Sequence, residues 1–275
     1  MLVSKLPNGI HIIDSTKNLF KGDILCPFAI DEIWARKVGL GQALPGIHLW
    51  RHEKAFVLGL RDRKLPHALE AMSWLEQQGY AVTVRNSGGA AVPLDPGVVN
   101  MSIILPNPLG KIDFHEDFEL MYQLIRESLG PLVMKGEVVG SYCPGDFDLS
   151  INGKKFCGIA QRRQTKAFVV QAFIVVEGKG HERAELVRQF YQKASEGTDQ
   201  ISYPQVTEES MASLQELAGI QSVDSYLEGL IAVLNACGVV PSSGGMLDEW
   251  MPEIQLIVDQ LRDRYEKRSE RGGSE

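Results

Sequence analysis

What this chain has little of narrows the possibilities first. Its four cysteines, at 26, 143, 157 and 237, form no CxxC pair and no Cys/His zinc spacing, so no metal site is expected and the thiols read as mostly reduced. No apolar run approaches the roughly 20 residues that span a bilayer, and Met1-Leu2-Val3-Ser4-Lys5-Leu6-Pro7 lacks an apolar stretch with a small-residue cleavage site. The expectation is a cytoplasmic protein with no membrane partner. Positive charge is also short, with 28 Lys and Arg against 35 Asp and Glu and a net charge of −7, which argues against nucleic acid as the main partner. Neither GxGxxG nor P-loop spacing is present. What remains, 44% hydrophobic and 23% charged over 275 residues, is ordinary for a soluble globular chain of one large domain or a domain with a smaller appendage.

Read in order, residues 2–13 suggest a peripheral strand or arm, and Pro27 opens a helix with Ala29, Ile30, Ile33 and Trp34 at helical spacing, stopped by Gly39. His48–Trp50 and Ala55–Leu60 read as a hairpin across a charged turn, and Pro66–Gln78 as a helix with Gly79 at its C-terminal cap. Strand Tyr80–Val84 leads into a glycine loop, after which Ala91–Leu94 and Val98–Leu105 read as a second hairpin about Asp95-Pro96-Gly97. Asp113 and Glu116 suggest a capping box for a helix carrying Phe114, Phe118, Met121 and Ile125. Strands are expected at 133–139, 147–151, 155–156 and 167–176, with Asn152-Gly153 as a hairpin turn. Helices follow at 182–195, 208–218, 223–236 and 247–267, with Thr207 and Ser222 as caps, and 268–275 reads as a frayed tail. The pattern predicts an α+β fold, a mixed β-sheet domain with packed helices and a helical C-terminal extension.

Three stretches carry candidate chemistry. Arg85-Asn86-Ser87-Gly88-Gly89-Ala90-Ala91-Val92 places a glycine pair after a strand, which suits either a tight turn or a backbone brought close to a ligand. Cys143 lies in a loop between Gly140-Ser141-Tyr142 and Pro144-Gly145, a setting for a reactive thiol if a cation or base stands nearby, whereas Cys157 reads as core. Lys155 follows the predicted Asn152-Gly153 turn; it is either a solvated lysine or a cation or neutral amine aimed at an acyl carbonyl, and strand alternation sends one of Lys154 and Lys155 inward and the other outward. Arg162, Arg163 and Lys166 form a basic cluster, either a charged loop or a contact for an acidic partner. His48 and His52 do not make a metal pair on one helical face.

Taken together, Arg85–Val92, Asp95-Pro96-Gly97-Val98-Val99-Asn100 and Gly153-Lys154-Lys155-Phe156-Cys157-Gly158 through Arg163 resemble the lipoate-protein ligase and octanoyltransferase superfamily, whose catalytic fold is shared with biotin protein ligase. Pro27-Phe28-Ala29-Ile30-Asp31-Glu32 resembles the first helix of that family. The resemblance implies a catalytic domain over residues 25–215 and a helical extension over 216–267 packed on it. Gly140-Ser141-Tyr142-Cys143-Pro144-Gly145-Asp146 resembles the cysteine loop of the transferase branch, which implies Cys143 and Lys155 as catalytic residues, Arg85, Ser87, Gly88, Gly89 and Gly158 as substrate-binding residues, and no cofactor. The extension resembles the amidotransferase branch, implying octanoylated glycine-cleavage H protein as donor and lipoyl domains of 2-oxoacid dehydrogenases as acceptors. The alternatives are transfer from octanoyl-acyl carrier protein, ATP-dependent lipoate ligation, and a non-catalytic acyl-carrier-binding protein.

Overall fold

The computed structural model describes residues 6–7, 9–107, 114–197, 203–242 and 246–266. In chain order its first half comprises β1 (His11–Phe20), α1 (Leu25–Gly39), β2 (Gly46–His52), β3 (Ala55–Leu58), α2 (Ala68–Gln77), β4 (Ala81–Val84), β5 (Val92–Leu94), β6 (Val98–Pro106) and α3 (Phe114–Leu129). The second half comprises β7 (Met134–Lys135), β8 (Leu149–Ile151), β9 (Lys154–Arg163), β10 (Ala167–Val175), α4 (Gly180–Ala194), α5 (Leu214–Ala218), α6 (Val223–Ala236), β11 (Val240–Pro241) and α7 (Met246–Glu266). An eight-stranded sheet runs β11-β1-β2-β6-β10-β9-β8-β7, and a three-stranded sheet runs β4-β3-β5. Both mix parallel and antiparallel neighbours, so the α+β, mixed-sheet expectation holds.

Strand β10 shows how the layers arise. Val170, Ala172 and Ile174 point to one face, where Met121, Leu124 and Ile125 of α3 and Leu227, Leu230 and Leu234 of α6 cover the sheet. On the other face the cover is split. Phe173 and Val175 pack with the small sheet and α4, whereas Ala167 and Val169 pack under α1 and α7. Gln171 falls at the seam between those two apolar clusters, where it lines a pocket. Helix α6 earns its position from its leucine stripe, each fully buried leucine contributing about 1.5–3 kcal/mol, and from a Ser222–Ser225 capping box at its start.

Several expectations are corrected. The segment 48–60 is not a hairpin: both edges of β2 are taken by β1 and β6, and the turn carries the chain into the other sheet, where β3 pairs with β4 and β5. Likewise Asp95-Pro96-Gly97 is a turn that changes sheets. Arg51 donates to the Pro96 carbonyl, and Gly97 caps the end of β10 by accepting from Val176 and Glu177. The first strand among the described residues runs 11–20, residues 2–5 and 8 of the expected 2–13 lying outside them, the stretch 133–139 contributes only Met134–Lys135, and 155–156 falls at the start of a ten-residue strand. The predicted helix 208–218 is broken, because Lys155 pairs with Met211 and Ala212 donates to the Lys155 carbonyl before the Ser213 capping box starts α5. Thr207 precedes a short 3-10 turn without a side-chain cap. The Asn152-Gly153 hairpin and the helices 182–195, 223–236 and 247–267 hold to within a few residues. Asp113 of the predicted capping box and the tail 268–275 lie outside the described residues.

Helix α1 seats on the sheet through a glycine. A Cβ at Gly46 would lie 1.7 Å from the Trp34 ring, whose Nε1 donates to the Leu44 carbonyl at 2.9 Å. Gly46→Ala is expected to cost at least about 2 kcal/mol, read in urea unfolding as a lower midpoint with an unchanged slope.

Candidate active site

The glycine loop is clamped from both sides. From within, Arg85 is buried and its guanidinium donates to the Gly88 carbonyl at 3.0 Å and the Ala90 carbonyl at 2.7 Å. From behind, the Ala91 amide donates to the Tyr191 hydroxyl at 3.3 Å, and that hydroxyl donates to Asp62 at 2.9 Å. The second Asp62 oxygen accepts the Gly59 amide at 2.7 Å. Burial pushes the Asp62 carboxyl upward and the Tyr191 hydroxyl upward, with the hydroxyl also opposed by its acidic partner. The two glycines are not equivalent. Gly89 has φ of +99°, and a Cβ there would lie 2.3 Å from the Arg85 guanidinium and 2.7 Å from the Cys143 sulfur, whereas a Cβ at Gly88 meets nothing within 4 Å.

Cys143 arrives against this loop from the segment after α3. Its Sγ accepts from Arg85 Nη2 at 3.2 Å and from the Ala90 amide at 3.2 Å. Both donors favour negative charge as it develops on the sulfur. The residue is buried and holds φ of +48°, a left-handed conformation that a non-glycine residue adopts only under constraint.

Lys155 supplies that constraint. Its side chain is fully buried, and its ammonium donates to the Tyr142 carbonyl at 2.9 Å and the Cys143 carbonyl at 2.6 Å and pairs with Asp148 at 2.8 Å. An ammonium has three hydrogens, so all are engaged. Asp148 also accepts from the Val138 amide and the Ser141 hydroxyl, tying both ends of the cysteine segment to one carboxylate; burial pushes that carboxyl upward while Lys155 draws it down. Ser210 and Thr207 hold the N-terminal flank as well, through the Gly140 carbonyl. Lys154, by contrast, is exposed, as alternation required.

Cys143 lines a narrow pocket with a cavity volume of about 40 Å³. Its walls are mainly apolar: Phe28, Trp50, Val57, Val92, Leu94 and Ile159 stand with Phe173 around it. Of the predicted site residues, Cys143, Arg85, Ser87 and Gly158 line this pocket. Gly158 has to be small there, because a Cβ would approach the Phe173 ring to 2.5 Å. Gly88 and Gly89 line the adjoining outer cleft with Ala90, Pro144 and Tyr203, and Lys155 lies beneath the cysteine segment and off the pocket wall. From β6, Asn100 and Ser102 line the pocket. Two residues of the basic cluster are paired internally, Arg162 with Glu32 and Arg163 with Asp117, whereas Lys166 is exposed. Asp148 was missed by sequence reasoning; its signal was a carboxylate five residues after the cysteine, in the same turn-rich segment.

The lipoyl protein ligase A/B catalytic domain family matches residues 23–238 of this chain. An octanoyl-[GcvH]:protein N-octanoyltransferase of Geobacillus kaustophilus is 47% identical over 216 residues, covering 77% of this chain and 76% of that protein. The enzyme of the same name from Anoxybacillus flavithermus is 44% identical over 259 residues, covering 93% and 94%. Among solved structures, lipoate-protein ligase A bound with ATP superposes with a TM-score of 0.65 at 17% identity, covering 94% of this chain and 96% of that one. A bi-partite lipoate protein ligase from Thermoplasma acidophilum gives 0.62 at 19%, covering 94% of each. These two share the fold.

The geometry separates the two glycines experimentally. Gly88→Ala is expected to shift folding stability by no more than about 0.5 kcal/mol, and Gly89→Ala to cost about 2 kcal/mol or more in thermal unfolding. Lys155→Met strands a buried carboxylate and is expected to cost about 3–5 kcal/mol, with Lys155→Met/Asp148→Leu recovering part of that loss.

Proposed function

The chain belongs to the lipoyl protein ligase A/B catalytic domain family, and from that membership we propose that it is an octanoyltransferase that moves an octanoyl group through a thioester on Cys143. The donor is octanoylated glycine-cleavage H protein and the acceptors are lysines of lipoyl domains of 2-oxoacid dehydrogenases, with the reaction taking place in the cytoplasm. The observation that carries this reading is the position of Cys143 Sγ, on the wall of an apolar pocket and 3.2 Å from each of two hydrogen-bond donors. The names of relatives covering most of the chain support the donor.

In the first half-reaction the Cys143 sulfur attacks the octanoyl carbonyl on the donor lysine. The C–S bond forms, the C–N bond breaks, and the thiol proton leaves with the donor amine. In the second, the acceptor amine attacks the thioester, the C–S bond breaks, and a proton from that amine returns to the sulfur. Nothing is oxidised, and overall one lysine amide is exchanged for another of the same type, so neither step consumes ATP or a cofactor. Arg85 and the Ala90 amide stabilise charge on the sulfur and on the adjoining oxyanion. Ser87, Gly88, Gly89 and Gly158 shape the substrate path. Lys155 acts through the cysteine segment, holding the Tyr142 and Cys143 carbonyls so that the thiol faces the loop. The alkyl chain enters the pocket, where burial contributes about 0.8 kcal/mol per methylene.

Incubation with octanoylated H protein, read by intact mass, tests the intermediate. The wild-type chain is expected to gain one octanoyl group and pass it to a lipoyl domain. Cys143→Ala is expected to gain none and to lose transfer by about 10³-fold or more. An adduct that survives Cys143→Ala overturns the thioester, and ATP-dependent attachment of free lipoate would favour a ligase.

A further inference from the structure

The inner end of the pocket is built differently from its walls. In the central four strands, Trp50, Asn100, Phe173 and Gly158 stand in register as one row, and His48, Ser102, Gln171 and Ala160 as the next row on the same face. Successive same-face rows are about 7 Å apart. The cysteine segment sits over the first row, with the Tyr142 ring stacked on Phe173 at 5.7 Å. Beyond the second row come Gly46, Ile104 and Val169, already covered by α1 and its Trp34. The pocket therefore runs from Cys143 over one row to the next and ends there.

Where it ends, α1 brings in a carboxylate. Asp31 is buried, one of its oxygens accepting from the Ser102 hydroxyl at 2.5 Å and the Gln171 amide at 2.9 Å, the other bonded to His48 Nδ1 at 2.9 Å. Ser102 and Gln171 line the pocket. Resting on the acyl-transfer reading above, we propose that this Asp31-centred cluster is the inner stop of the acyl pocket and sets the longest chain the enzyme accepts.

The stop is stiff because its parts are interdependent. A chain that overruns the second row has to displace Gln171 or Ser102 from a buried carboxylate, and each hydrogen bond to such a group is worth about a ten- to hundredfold factor. One extra methylene returns only about fourfold. An apolar wall of flexible side chains would yield to a longer chain, and this cluster does not.

The test is a chain-length profile, measured as transfer rates from H protein carrying hexanoyl, octanoyl, decanoyl or dodecanoyl lysine. The wild type is expected to fall at least tenfold between octanoyl and dodecanoyl. Gln171→Ala opens the end of the pocket and is expected to raise the dodecanoyl-to-octanoyl ratio at least tenfold. Ala160→Leu, in the same row, is expected to shift preference the other way, towards hexanoyl. Melting temperatures establish that each variant is folded, and the two opposite shifts keep the test decisive if one variant does not fold. A folded variant with the wild-type profile, or a wild type indifferent to chain length, overturns the stop while leaving acyl transfer in place. A wild type that transfers no chain at all overturns the acyl-transfer reading, and the stop with it.

Discussion

The site depends on one buried ammonium. Lys155 holds two successive carbonyls, those of Tyr142 and Cys143, together with the carboxylate of Asp148. Without that grip, the left-handed backbone at Cys143 has no local reason to persist, since its neighbours Tyr142 and Pro144 supply no conformational freedom of their own. With it, the thiol is turned towards Arg85 and the Ala90 amide. Burying a charge is costly, and three well-placed partners are what make the arrangement stable where one partner would not. The lysine is the second residue of β9, so the Asn152-Gly153 hairpin is what places it.

The glycine loop answers from the opposite side. Arg85 closes on the loop's own carbonyls and then reaches the sulfur, so one side chain both shapes the cradle and contributes charge to it. Asp62 and Tyr191, from a turn and from α4, fix the back of the loop, and Gly59 lets the end of β3 approach Gly89, where a Cβ would stand 2.0 Å from the carbonyl oxygen. Two sheets, a helix and two loops thus converge on one sulfur, and an apolar seam lies beside it.

Much of this was legible in the sequence because it is written locally. The run Arg85–Val92, the turn-flanked Cys143 and the Asn152-Gly153 hairpin before Lys155 are each contiguous, and their physical preferences agree with their places in the structure. What was not legible is what distant residues do to one another. Whether Lys155 or Lys154 turned inward could be framed from alternation, but not decided without the Tyr142 and Asp148 contacts. Asp31 meets Ser102 71 positions away and Gln171 140 positions away, so no spacing rule connects them. The two misread hairpins have the same origin: turn chemistry at 51–54 and at Asp95-Pro96-Gly97 specifies a reversal, and only the occupancy of the strand edges decides which sheet the chain enters next.

The central claim is that Cys143 carries the acyl group while its chain lies in the seam between the two sheets. A crystal structure of the protein trapped with an octanoyl thioester donor tests it most directly. The account predicts a bond from the carbonyl carbon to Cys143 Sγ, the carbonyl oxygen near the Ala90 amide, and the chain running past Phe173 towards Gln171. An octanoyl group bonded to any other residue, or a chain lying outside the pocket lined by Val57, Val92 and Phe173, would contradict it.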